Sequence, residues 1–275
     1  MDPTTQPSLA PNLGQILLLV AATVLFAAAE VISLSRLRRE LRWSRISAKA
    51  CTYLGALLAL LVLVWHSMKR GTWLPLGDNF EAFISLGLLL ALFVLYVQRT
   101  RPIGGIDWFV MPIVVLLMIA AIAFGSARPH EYSRSTWLSL HYVTAYSGAV
   151  AFAVAGAAGA MYLIANRRLR VKTAPPSPSF GSLERLEHVT LFSVTLGFAM
   201  LTIGAITGLG WMLFEHRPTP AAKVVLTAMV WVIYALVLHS PINPSFRGRK
   251  TALLSIVGFV LMAGVLVTVQ FLPAK

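Results

Sequence analysis

The sequence predicts an all-α fold, a polytopic membrane bundle of about eight transmembrane helices. Its 275 residues are 57% hydrophobic and only 12% charged, and the mean hydropathy is +0.76. A soluble domain of this length has too few charges to cover so much apolar surface. The apolar residues also form runs of roughly 20, which is the length that crosses the bilayer core. We therefore expect a single integral membrane domain, residues 1–275, with the lipid bilayer as its solvent.

Eight stretches are apolar enough to span the membrane. The predicted spans are Leu13–Leu34, Ala50–His66, Asn79–Val97, Ile106–Phe124, Trp137–Ala165, Val189–Leu213, Val224–His239 and Thr251–Phe271. The first is expected to be a retained helix, because no basic segment precedes it as in a secretory signal. The fifth and sixth are long enough to tilt or to extend beyond the bilayer. Between them, residues 166–188 contain several prolines and predict a cytoplasmic linker.

Lys and Arg are distributed unequally between the loops. The loops that follow the odd-numbered spans carry sixteen of the 23 basic residues, and the opposite side carries seven. Because basic loops stay in the cytoplasm, both termini are predicted on the outer, periplasmic side of a bacterial inner membrane. Topology thus accounts for the net charge of +13. Nucleic-acid binding is not predicted, because no basic patch with interleaved aromatic residues stands out.

Several kinds of enzyme chemistry are excluded by the residues that are missing. Cys51 is the one cysteine, so the chain has neither a CxxC motif nor an internal disulfide. It also lacks HExxH, Walker and GxSxG motifs. Glu30 and Glu81 lie within predicted spans, where a Glu could belong to a proton path, although pairing with a nearby Arg is the first expectation. Nothing resembles the paired carboxylates of acid–base catalysis. We therefore assign no catalytic residue.

Histidines are the remaining candidates for cofactor chemistry, because polar groups inside a membrane are costly and so are often functional. His141 lies one turn inside the fifth span, among aromatic residues that include Tyr146. His239 ends the seventh span, and His130 and His216 lie in outer loops, where either could pair with His141. Neutral imidazoles on different helices can hold a haem by its two axial positions. The alternatives are a histidine bonded to a neighbouring helix and, for His239, an interfacial side chain.

Four segments, in order, resemble the cytochrome c assembly family, which includes the CcsA, ResC and HemX-like membrane proteins. They are Pro75–Glu81, Leu140–Tyr146, Leu183–Trp211 and Lys223–Lys250. The resemblance implies a protein that holds or relays haem in cytochrome c biogenesis, without independent catalysis. It implies His141 as an outer-face axial ligand, His239 as a ligand of a membrane-embedded haem, and Trp211 as the start of a tryptophan-rich segment. It also implies two partners, a CcsB-like assembly subunit and apocytochrome c.

The sequence departs from the family pattern in two places. The loop after Trp211 lacks the further tryptophans and the Asp of the family motif, and no histidine follows the eighth span. His216 is therefore the candidate for the second outer ligand. These departures resemble the HemX-like branch, which implies an alternative function, a non-catalytic regulator acting on a soluble enzyme of tetrapyrrole synthesis. A transporter for another solute, suggested by Glu30 and the glycines of the sixth span, is a third hypothesis.

Overall fold

The computed structural model describes residues 10–35, 42–70, 78–100, 104–125, 136–171, 182–214, 221–243 and 247–271. These residues form eight α-helices. They are α1 (Leu13–Ser35), α2 (Arg42–Arg70), α3 (Asn79–Thr100), α4 (Ile106–Phe124), α5 (Thr136–Val171), α6 (Leu183–Phe214), α7 (Ala221–Leu238) and α8 (Arg249–Phe271). Each helix is long and apolar enough to cross a membrane. The predicted all-α class and the eight spans are therefore confirmed, whereas the sidedness of the termini stays a prediction.

Several helices are longer than the predicted spans. α2 begins eight residues before Ala50, and α5 continues to Val171. Hydropathy detects only the part of a helix that lies in lipid, whereas backbone hydrogen bonding continues into the polar interface. Helix therefore covers both ends of the predicted linker, residues 166–171 and 183–188. Its central part, residues 172–181, lies outside the described residues.

The chain divides into two compact units, and the prediction of a single domain stays untested. Unit 1 comprises Met1–Leu95 and Met111–Tyr132, and unit 2 comprises Tyr96–Val110 and Ser133–Lys275. In unit 1, α1 packs against α2. The fully buried ring of Phe26 lies over Gly55, where an added Cβ would come within 3.0 Å of the ring. A small residue thus lets these two helices approach closely, as is common in lipid.

Unit 2 is built around α5, which packs against both α6 and α8. Its core contains the rings of Phe152 and Tyr234, which stack with centroids 3.8 Å apart and an interplanar angle of 7°. Gly197 of α6 faces the Phe152 ring and Gly258 of α8 faces the Tyr234 ring, each too closely for a side chain. The glycines therefore admit a large aromatic pair between the helices, and this pair fixes how α5, α7 and α8 pack.

Candidate functional site

His141 lies against α6 at the N-terminal end of α5. Its Nδ1–H donates a hydrogen bond to the carbonyl oxygen of Gly204, at 2.7 Å. Gly208, one turn further along α6, faces the same imidazole, and a Cβ there would lie 2.9 Å from Nδ1 and 3.0 Å from Cε1. The four-residue spacing puts both glycines on one face of α6. The absence of two side chains thus creates the space that the imidazole occupies.

The bond to Gly204 determines the tautomer of His141. A backbone carbonyl only accepts, so Nδ1 carries the proton and Nε2 of the neutral ring has the lone pair. Within the described part of the chain, no hydrogen bond joins Nε2 to another residue. Histidines that ligate metals almost always donate their other ring N–H in this way. The arrangement suits an imidazole that binds a metal through Nε2.

Aromatic and basic side chains lie around the same end of α6. The ring of Trp137 packs over Gly210, within 3.2 Å of where a Cβ would stand, and stacks on Phe214 with centroids 5.9 Å apart. Trp211 follows Gly204 by seven residues and therefore lies on the face of α6 that carries Gly204 and Gly208. Lys223, in the first turn of α7, is close enough for its charge to act on the imidazole of His141.

The other predicted site residues lie elsewhere. Tyr146 is five residues beyond His141 and so about 140° further round the helix, where its ring stacks on Tyr142 with centroids 6.2 Å apart. His239 lies in the turn that ends α7 and is exposed. It is sixteen residues from Lys223, or about 24 Å along the helix. His141 and His239 therefore cannot ligate the same iron. His216 lies outside the described residues.

A second polar cluster, in unit 1, was missed by the sequence analysis. His66, Asp78 and Glu81 are all buried, and one ligand atom from each lies within 4.8 Å of the others. His66 Nε2 is 2.9 Å from Asp78 Oδ2, and His66 Nδ1 is 3.3 Å from Gln15 Oε1. The four residues come from three helices, and no motif in the sequence joins them. The one local signal was the Asp-x-x-Glu pattern at the start of α3, which is typical of a capped helix.

Comparison with known proteins identifies relatives across most of the chain. A family model described as "Cytochrome C assembly protein" matches residues 51–273. The protein described as "Cytochrome c biogenesis protein CcsA" from Synechococcus sp. (strain CC9902) is 25% identical over 241 residues, which cover 75% of this chain and 77% of the relative. The "Inner membrane protein YpjD" of Escherichia coli (strain K12) is 23% identical over 216 residues, which cover 74% of this chain and 80% of that protein.

One solved structure has a similar fold. The protein described as "Cytochrome c Heme Lyase CcmF" superposes on 98% of this chain with a TM-score of 0.64 and 16% sequence identity. The match covers 51% of CcmF, so this chain spans about half of the length of that protein. At this level of identity the likeness establishes a shared arrangement of helices.

Proposed function

Because this chain belongs to the cytochrome c assembly protein family, we propose that it is a haem-binding membrane protein of cytochrome c biogenesis. His141 would be an axial ligand on the predicted outer side. The observation that supports this most directly is the 2.7 Å bond from His141 Nδ1 to Gly204 O. It leaves the Nε2 lone pair for iron, and it holds the ring at a fixed orientation on α6.

The residues around His141 have the chemistry that a haem requires. Trp211 and Trp137 offer aromatic surface for an apolar macrocycle, and the ammonium group of Lys223 would attract a propionate. His216 is proposed as the second axial ligand, in a loop outside the described residues. Tyr146 would contribute less directly, because its ring stacks on Tyr142. The bound haem would itself be the group that is attached to apocytochrome c. This chain would hold that haem and shield it from water.

We propose His239 as the ligand of a separate, membrane-embedded haem near the predicted cytoplasmic side. The separation of about 24 Å along α7 supports two independent sites. Ser240, directly after His239, is 1% exposed, and its hydroxyl has no partner among the described residues. A bonding group on a ligand would stabilise that hydroxyl, because an unsatisfied buried hydroxyl is unfavourable. Such a pair of sites would let the protein relay haem by binding alone, without independent catalysis.

The proposed setting is a bacterial inner membrane, where one of the relatives, YpjD, is described as an inner membrane protein. The proposed partners are a CcsB-like assembly subunit and apocytochrome c, whose thiols would approach from the outer side. All eight helices can span a membrane, so the chain is a multi-pass membrane protein in which the His141 end of α5 lies near one surface.

Visible absorption spectra of the protein purified in detergent, oxidised and dithionite-reduced, test this function. We expect a Soret band and sharp reduced bands in the wild type, with loss of the outer-site signal in His141→Ala. His188→Ala is the matched control, since His188 is exposed near the other end of α6 and should leave the spectrum unchanged. A pure, folded wild-type protein without a Soret band, even after addition of haemin, would contradict the proposal. Co-purification of that protein with a soluble tetrapyrrole-synthesis enzyme would favour the HemX-like regulator instead.

A further inference from the structure

We propose that Gln15, His66, Asp78 and Glu81 form a site for a divalent transition-metal ion, independent of any haem. His66, Asp78 and Glu81 would be the ligands, and Gln15 would orient His66. The four residues are between 0% and 6% exposed. They lie near the start of α1, the end of α2 and the start of α3, and so near one surface of the membrane. On the predicted topology this is the outer surface.

Two helix caps hold two of these side chains, those of Gln15 and Asp78, in place. At the start of α1, the Asn12 side chain accepts from the Gln15 N–H at 2.9 Å, and Gln15 Oε1 accepts from the Asn12 N–H at 3.0 Å. At the start of α3, Asp78 Oδ1 accepts from the Glu81 N–H at 2.8 Å. The first arrangement is a reciprocal capping box, and the second places Asp78 and Glu81 at the N-cap and N3 positions. The capping bonds therefore fix where the Gln15 and Asp78 side chains point before any ligand binds.

The capping box at α1 restricts the tautomer of His66. Because Gln15 Oε1 already accepts from a backbone N–H, it is identified as the oxygen of the amide and not the nitrogen. His66 Nδ1, 3.3 Å away, must then carry the proton to bond with it. In the neutral ring the lone pair is consequently on Nε2, which faces Asp78 Oδ2 at 2.9 Å. Two acceptors at that distance repel unless a cation lies with them.

A neutral ring could give up the weaker contact at Nδ1 and donate Nε2–H to Asp78. Both contacts are kept by a second proton on the ring or by a metal ion shared by the cluster. Glu81 favours the metal, because it brings a second carboxylate within 4.8 Å of the same atoms. Two ligands bound at about 2.1 Å to one ion lie about 3.0–3.4 Å apart, so the Glu81 carboxylate would move closer by up to about 1.4 Å to complete the shell. Nδ1–H bonded to an amide oxygen, with Nε2 on the metal, is the usual orientation of a ligating histidine.

The Gln15 amide nitrogen is a further indication of a ligand. It is buried and has no hydrogen-bond partner among the described residues. A metal with three protein ligands keeps an open position for water. A water bound there would give this nitrogen an acceptor. One imidazole and two carboxylates suit zinc or manganese better than magnesium or calcium, which prefer oxygen ligands alone.

Metal analysis of the full-length protein tests this site. The protein is purified with a tag that contains no histidine, treated with chelator, and dialysed with Zn²⁺ or Mn²⁺. We expect about one ion per chain in the wild type, in line with a three-ligand site. X-ray absorption of the zinc form should show one imidazole nitrogen with oxygen ligands. Haem iron is counted separately from the pyridine haemochrome spectrum.

The variants distinguish this site from surface binding and from misfolding. Asp78→Asn keeps a good N-cap and Glu81→Gln keeps the shape, yet each removes an anionic ligand, so both should weaken metal binding at least tenfold. Gln15→Leu should weaken it about 10–100-fold, as is typical when the partner of a ligating histidine is removed. Asp107→Asn, the same change at a buried carboxylate at the start of α4, should have no effect. His141→Ala should also keep the metal, so the experiment can contradict the metal site without contradicting the haem site, and the reverse.

Two outcomes would overturn the metal site. One is a folded wild-type protein that retains neither ion after dialysis, which would identify the cluster as a hydrogen-bonded contact between His66 and Asp78. The other is equal metal content in the wild type, Asp78→Asn and Glu81→Gln, which would show that the ion binds elsewhere.

Discussion

The imidazole of His141 and the carbonyl of Gly204 are 63 residues apart in the chain and are joined by a hydrogen bond of 2.7 Å. Gly208 makes this bond possible by leaving the space that the ring fills. A histidine on one helix is thereby held by the backbone of another, and its Nε2 is oriented by contacts that involve no ionisable partner. The same pair of residues supports both the packing of α5 on α6 and the proposed ligation.

Gly208→Ala should disturb the proposed haem ligand without removing it. The new Cβ would lie 2.9 Å from His141 Nδ1, so the ring must move and its bond to Gly204 must lengthen. We expect haem occupancy to fall about tenfold or more, the lower end of the effect of changing a ligand's hydrogen-bond partner. Gly264→Ala is the matched control, since a Cβ there has no atom within 4 Å. Equal Soret-to-protein absorbance ratios in the two variants would argue against His141 as the ligand.

The sequence predicted the parts of this fold that depend on single segments. All eight spans were found because lipid requires each helix to be apolar along its own length. The ends of α2 and α5 were missed, because a helix that continues into the polar interface has no hydropathy signal. The family was also identified correctly from four short segments, and the family model confirms it over residues 51–273.

The sequence could not predict the contacts between segments. His141 was chosen for its depth in the membrane, but its partner is a backbone carbonyl, which has no residue type to recognise. Gly204 and Gly208 gave a partial signal, since their spacing indicates a close approach on one face of α6. His66 ends the second predicted span, but its neighbours Gln15 and Asp78 lie in other segments of the chain. Without a fold, nothing in the sequence joined them.

His141→Ala and His239→Ala should remove different spectral components. The two residues belong to ends of the bundle separated by about 24 Å along α7, too far for one iron to bind both. We therefore expect each single variant to keep the component that the other loses, and the double variant to lose both additively. Potentiometric titration of the reduced bands checks this. Loss of all haem in either single variant would contradict two independent sites.

Gly197→Ala should destabilise unit 2. Its Cβ would lie 2.5 Å from Cε1 of Phe152, a ring that is fully buried and stacked at 3.8 Å on Tyr234. Overpacking of this kind costs about 1–3 kcal/mol. Thermal unfolding in detergent should show a lower Tm, and Phe152→Leu should recover part of the loss in the Gly197→Ala background. Gly148→Ala is the control, because its nearest contact would be an ordinary 3.4 Å; a similar loss of stability there would contradict the role of the aromatic pair.

The unequal distribution of basic residues predicts that both termini face the periplasm. Sixteen of the 23 Lys and Arg residues lie in the loops after odd-numbered spans, and such loops are retained in the cytoplasm. Alkaline phosphatase fused after residue 275 should therefore be active, whereas the same enzyme inserted within residues 172–181 should be inactive, because it folds only outside the cytoplasm. Green fluorescent protein at the two positions should give the reverse pattern. The opposite result from both reporters would show that the predicted topology is inverted. The His141 end of α5 would then lie on the cytoplasmic side, where apocytochrome c could not reach a haem bound to His141.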